Sequence, residues 1–220
     1  MYRTNSVIGL AGGVLVLFAP FVQADITSSY NFVRLTDNGN GVDLGSQLLM
    51  EVTGTSVSAT EAIFKFSNNV GIASSITQIY FDDGSVLSSL LSITDSGAGV
   101  AFDDPATPGN LPSGNTAVPA FSADFSGGAD APVSANGVNS SSEWVAFKFS
   151  LVGDYDDVIA ALASGVLRVG LHVQSIGTVG KSDSYLNGDK LTPNTIPAPG
   201  ALLLVLVGLA GIGRMRVRPA

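Results

Sequence analysis

The sequence predicts a mainly β fold, an antiparallel β-sandwich of jelly-roll type with one short helix, followed by a C-terminal transmembrane helix. Three observations carry this. Apolar and polar residues alternate over several short stretches, as strands with one wet face require. Clusters of Asp, Asn and Gly separate those stretches, as turns require. An uncharged apolar run near the C-terminus closes on three arginines.

The alternation is clearest at residues 144–151, where Val145, Phe147, Phe149 and Leu151 share one face and Ala146, Lys148 and Ser150 the other. Residues 166–174 repeat it, with Leu167, Val169, Leu171 and Val173 opposite Arg168, Gly170, His172 and Gln174. A third strand is expected at 62–67, with Phe64 and Phe66 facing inward past Lys65. Further strands are expected at 30–35, 47–52, 76–81, 86–93, 99–102 and 120–125. The turns between them fall at 37–41, 68–69, 82–84 and 126–128.

One segment breaks the two-residue period. Asp154 stands ready to cap free amides, Asp156 and Asp157 suit the positive end of a helix, and Gly165 suits a left-handed stop. A short crossover helix is expected between them, with Val158 and Leu162 facing the sheet and leading into the strand at 166–174. Residues 103–142, rich in Pro, Gly, Ser, Asn and Ala, read as a loop-rich insertion around one strand rather than as a second domain.

The two ends read differently from this body. Residues 1–24 have the order of a secretory signal: Arg3, an apolar stretch, then the small-residue site Val22-Gln23-Ala24, which places cleavage between Ala24 and Asp25. The body then occupies 25–187, a polar spacer 188–195, and an anchor segment 196–220. All 18 acids fall within the body and spacer, against six basic residues there, so the exported part carries a net charge of −12. Such a surface repels phosphate backbones and excludes nucleic acid as a partner. With no cysteine, the body has no disulfides and must be held by its own core.

The final stretch has three parts in order: Pro197-Ala198-Pro199, an apolar run over 200–213, and a basic tip of Arg214, Arg216 and Arg218. Prolines hold an extended, unpaired strip ahead of the run. As a helix the run would be about 21 Å long, and residues 196–213 together nearly span a hydrocarbon core of about 30 Å. This order resembles the PEP-CTERM sorting signal of bacterial exopolysaccharide producers, with Ala198 standing where that family's usual glutamate would be. The resemblance implies an exosortase-type processing enzyme as partner and passage from the inner membrane to the cell surface or extracellular matrix. It covers residues 196–218 only and implies no activity for the body.

Catalytic chemistry finds little to work with. Serine-type hydrolysis needs a base, and His172 is the one histidine, with no nucleophile motif beside it. Zinc needs several Cys or His ligands, and no phosphate loop or dinucleotide fingerprint is present. No cofactor is required by any motif. Calcium is the one ion the acids suit: Asp37 and Asp43 flank an Asn-Gly-Asn-Gly turn, and Asp82-Asp83 and Asp103-Asp104 add pairs of hard oxygens. Gly39 and the missing terminal glutamate exclude an EF-hand, and Asp, Asn and Gly are also simply what turns require. The chain is therefore expected to be a structural or adhesive surface or matrix protein associated with extracellular polysaccharide, not an enzyme. The alternatives are a secreted glycan-binding or glycan-processing protein, or a plain single-pass membrane protein of the envelope. Trp144 and Tyr155 are the aromatic candidates for a sugar platform; two acids facing across a cleft would point instead to processing.

Overall fold

A computed structural model of the chain describes residues 25–38 and 41–191. The expected signal peptide, the sorting motif, the apolar run and the basic tip lie outside these residues. Ten strands form: β1 (Ile26–Arg34), β2 (Leu48–Gly54), β3 (Glu61–Asn68), β4 (Ser75–Asp82), β5 (Leu87–Asp95), β6 (Phe102–Asp103), β7 (Phe125–Ala129), β8 (Trp144–Leu151), β9 (Arg168–Ile176) and β10 (Lys181–Leu191). Among the described residues two α-helices, α1 (Val133–Asn136) and α2 (Tyr155–Ser164), and one 3₁₀ turn (Gly114–Thr116) join them. Among the described residues no helix is long and apolar enough to cross a membrane.

The fold is mainly β and wholly antiparallel, but the hydrogen bonding runs through one sheet rather than two. Its order is β5-β8-β3-β2-β1-β10-β9-β4-β7-β6, and it curls until it is nearly closed into a barrel. The strand that makes it continuous is β10, which pairs with β1 on one edge (Tyr30 opposite Lys190, Arg34 opposite Tyr185) and with β9 on the other (Tyr185 opposite Leu171). No strand was expected there, and residues 188–191, read as spacer, belong to it. The cause is composition: Lys181-Ser-Asp-Ser-Tyr-Leu-Asn-Gly-Asp-Lys-Leu191 has little β propensity, and it is a strand because β9 pairs with its first half and β1 with its second, the two overlapping at Tyr185 and Leu186.

The inner face is the core. Phe64 and Phe66 of β3 and Phe147 and Phe149 of β8 meet Phe81 of β4 across the interior, with ring centroids 4.8 Å (Phe149) to 6.1 Å (Phe66) from Phe81. Most of these rings meet edge to face, the arrangement their quadrupoles favour. Gly127 of β7 packs directly on the Phe147 ring, so any side chain there would collide with it. Helix α2 packs on the same core through Tyr155, Val158, Ala161 and Leu162. Its start is a capping box: Asp154 accepts from the amides of Asp156 (3.0 Å) and Asp157 (3.2 Å), and Asp157 accepts from the amide of Asp154 (3.1 Å). It ends at Gly165 with φ 73°, the left-handed stop expected.

The expected insertion behaves as a cover. Residues 104–124 lie on the outer face of the β4–β9–β10 half of the sheet and bury a second apolar cluster of Tyr80, Ala106, Leu111, Ala117 and Phe121. Gly170 of β9 leaves the space that Leu111 fills. Tyr80 donates to the Pro108 carbonyl at 2.9 Å and Ser184 to the Pro112 carbonyl at 2.6 Å, tying the cover down. The strand expected at 120–125 falls instead at β7, because Phe121 and Ala123 pack into this outer cluster. The strand expected at 99–102 shrinks to the two residues of β6.

Phe81 touches four aromatic rings and is fully buried. Phe81→Ala is expected to lower unfolding stability by about 3–5 kcal/mol, measured by urea denaturation. Asp154→Ala, which removes only the helix cap, is expected to cost about 1 kcal/mol.

Candidate functional site

The cover leaves the other half of the sheet bare. On β1, β2, β3, β8 and β5 the outward residues stand in register across the strands. One row runs Ser92, Lys148, Ile63, Thr53, Thr27 and the next Thr94, Ala146, Lys65, Glu51, Ser29. Trp144 stands opposite Ser67 at the end of β8. Hydroxyls, two lysines, two glutamates and one indole therefore share a pleated surface, because alternation sends every second side chain outward.

Charge on this face is paired. Lys148 Nζ lies 2.6 Å from Glu61 and Lys65 Nζ 3.7 Å from Glu51, and Lys65 also sits 5.5 Å from the centre of the Trp144 ring. Thr27 and Thr53 share a hydrogen bond of 3.0 Å. Beside the Lys148–Glu61 pair runs a groove of about 130 Å³ lined by Asp25, Thr53, Thr55 and Ile63 among others. Ile63 is 40% exposed, a branched apolar side chain left uncovered on the face. The half-buried Trp144 remains a platform candidate, whereas Tyr155 does not. Tyr155 is buried, donates to the Val52 carbonyl at 2.9 Å and lies 3.1 Å from the Ser28 hydroxyl.

The acids singled out in the sequence are dispersed into local roles. Asp37 pairs with Arg34 at 3.2 Å. Asp43 accepts from the amide of Gly45 at 2.9 Å. Asp82 is ion-paired with Arg168 and accepts from the amide of Ser122 at 3.1 Å, holding the cover to the sheet. Asp83 closes its turn by accepting from the amides of Ser85 (2.9 Å) and Leu87 (3.2 Å). Asp103 and Asp104 lie at β6, beside a recess of about 190 Å³ between the sheet's two free edges. Among the described residues no three metal-ligating side chains gather in one place.

Two arrangements were not visible in the sequence. Asp103 and Asp130 both line a groove of about 240 Å³ with Gln78 and Thr107. The Asp124 carboxyl lies within hydrogen-bonding reach of Asp83, and burial together with this like-charged neighbour raises the Asp83 pKa above the ordinary aspartate value. His172 sits under the cover with Nδ1 2.7 Å from Gln78 Oε1, and burial lowers its pKa, with Asp183 opposing. Gln78 passes on to the Thr107 carbonyl at 2.5 Å. Gln78 thus links the histidine to the cover, and Gln174 lies 3.3 Å from the same Nδ1.

Comparison of the chain with family models, with curated proteins and with solved structures finds no match.

The Asp83–Asp124 pair has a sign that can be measured. An acid whose folded pKa is raised has its full stability below the unfolded value and loses it as pH rises through the folded one. Asp124→Asn removes the neighbouring charge and keeps an oxygen to accept from the Asp83 amide, now 2.9 Å from Asp124. It is expected to raise the melting temperature at pH 7, with the gain shrinking below about pH 4. Calorimetry across that range checks it.

Proposed function

We propose that the chain is an exported bacterial surface or extracellular-matrix protein, anchored or sorted through its C-terminus, with a structural or adhesive role in association with exopolysaccharide. The observation that carries this is the order of the tail: the strip Pro197-Ala198-Pro199, the apolar run, then Arg214, Arg216 and Arg218. In the precursor the run forms a transmembrane helix, the arginines hold its far end in the cytoplasm, and the strip presents extended backbone to an exosortase-type enzyme. The two halves of the curled sheet serve as the layers of a jelly-roll-like sandwich, rigid through Phe81 and its neighbours.

The bare outer face is where such a body meets its surroundings. Trp144, with Lys65 beside it, offers a flat apolar surface of the kind sugar rings stack on, and the Ser and Thr hydroxyls around it donate and accept. Glycan processing is the second reading, favoured by the Asp103–Asp130 groove. Incubation of the wild-type protein and of Asp103→Asn with polysaccharide separates the two. New reducing ends from wild type alone would replace adhesion by hydrolysis.

Three measurements test the proposal. Mass spectrometry of the native protein is expected to find Asp25 at the mature N-terminus and to recover no peptide beyond the Pro-Ala-Pro strip. Recovery of Val217-Arg218-Pro219-Ala220 from surface protein would leave a plain single-pass anchor. Replacing Pro197 and Pro199 by alanine is expected to leave membrane insertion intact while precursor accumulates. Trp144→Ala is expected to weaken retention on immobilised exopolysaccharide by about tenfold, which corresponds to about 1.4 kcal/mol, and unchanged retention would remove the bare face from the reading.

A further inference from the structure

The bare face differs from the rest of the body in charge. Its outward rows carry four charged side chains, Glu51, Glu61, Lys65 and Lys148, and the register sets each lysine beside a glutamate. Lys65 stands directly opposite Glu51, with Nζ 3.7 Å from its carboxylate, and Lys148 reaches Glu61 at 2.6 Å. These rows are therefore neutral, and the whole net charge of −12 of the exported part lies outside them. Both ends of the face add to that surplus. Asp25 is exposed at the groove beside Ile63. Glu143 precedes Trp144, its carboxylate accepting from the amides of Asn139 (2.8 Å) and Ser140 (3.1 Å).

The apolar contacts of the face are set apart from each other. Trp144 stands opposite Ser67 near one end, and Ile63 stands opposite Lys148 near the other. Four residues along each strand separate these two pairs, which is about 13 Å at the strand rise. Between them runs the row Thr94, Ala146, Lys65, Glu51 and Ser29, with hydroxyls at its ends and a lysine–glutamate pair within it. A single sugar ring is too short to touch both Trp144 and Ile63. An extended chain lying along the strands touches both.

We propose that the bare face selects a neutral polysaccharide chain lying along the strands, and that Glu51 and Glu61 set this selectivity by neutralising Lys65 and Lys148. The inference rests on the reading of this face as the polysaccharide surface and adds the class of polymer it takes. Hydroxyls both donate and accept, so a neutral chain finds partners in carboxylate, ammonium and hydroxyl alike. Its C–H faces meet Trp144 and Ile63. A uronate chain must give up water from its carboxylates and finds no unpaired ammonium in return. It also approaches a body of its own sign, which repels it over about 10 Å at about 0.1 M salt.

The test runs the full-length protein in detergent over columns of immobilised mixed-linkage β-glucan and dextran, both neutral, and of alginate and hyaluronate, both anionic. At least one neutral column is expected to retain it equally at about 50 mM and about 500 mM salt, while both anionic columns let it pass. The hexasaccharide of the retained glucan is expected to release it at about tenfold lower concentration than the disaccharide, because it spans both contacts. Glu51→Gln combined with Glu61→Gln frees both lysines. That variant is expected to be retained at least about threefold longer on alginate at about 0.1 M salt, with neutral retention unchanged. Should it not fold, the wild-type pattern across the columns decides alone. Retention on an anionic column in place of the neutral ones, equal release by the two oligosaccharides, or no gain on alginate by the folded variant would overturn the proposal and leave the face a polysaccharide surface. Passage through all the columns would overturn it together with the reading it rests on.

Discussion

The insertion of β10 between β1 and β9 is the constraint on which the rest of the structure depends. Without it the strands on either side would form two separate sheets, and the aromatic core would have no common wall. The insertion places polar residues where the core would have apolar ones, and each is satisfied. Asp183 is 1% exposed and accepts from the amide of Asn38 at 2.8 Å and the hydroxyl of Thr36 at 3.1 Å. Tyr185 is fully buried and accepts at its hydroxyl from the amide of Leu44 at 3.3 Å, with burial pushing its pKa up to about 12. A satisfied polar network of this kind fixes one register, because a slip of one residue would leave several buried groups without partners.

From that register the asymmetry of the outer surface follows. The β4–β9–β10 half sits under residues 104–124, so β4 is buried on both faces and its Tyr80, Gln78 and the neighbouring His172 serve as attachment points. The β1–β2–β3–β8–β5 half keeps the alternation of a one-sided sheet. A single sheet thus carries a closed side and an open one. Lys65, Lys148 and Trp144 all stand on the open side, while Arg168 is spent on the closed one, against Asp82 and the carbonyls of Pro119 and Ala120.

What could be read from the sequence follows the same division. The strand at Trp144–Leu151 matches its expected span because one face is wet, and α2 matches because Asp154 and Gly165 mark its ends in local chemistry. β10 was hidden because its own residues are mostly polar and do not alternate, and because one of its two neighbours, β1, comes from the other end of the described chain; the Gly177 and Gly180 turn that joins it to β9 was its one local sign. β7 was displaced because Phe121 and Ala123, apolar at alternate positions, serve a loop cluster instead of a strand. At the site, Trp144 was visible as a rare residue, whereas the role of Tyr155 depended on the depth of α2. The groove of Asp103 with Asp130 arises from folding alone and has no sequence signature.

The position of β10 also decides how the body responds to mechanical load. Ser29 pairs with Leu191, so the chain enters and leaves the barrel side by side. A load applied between Ile26 and Leu191 acts across the β1–β10 ladder and opens it from the Ser29–Leu191 pair, because antiparallel partners pulled at the same end separate one bond at a time. The ladder to β9 holds Lys181–Leu186, the other half of β10, and takes the load only after that. The seam where the two ends of the sheet's chain meet is thus also the place where the body opens first under tension.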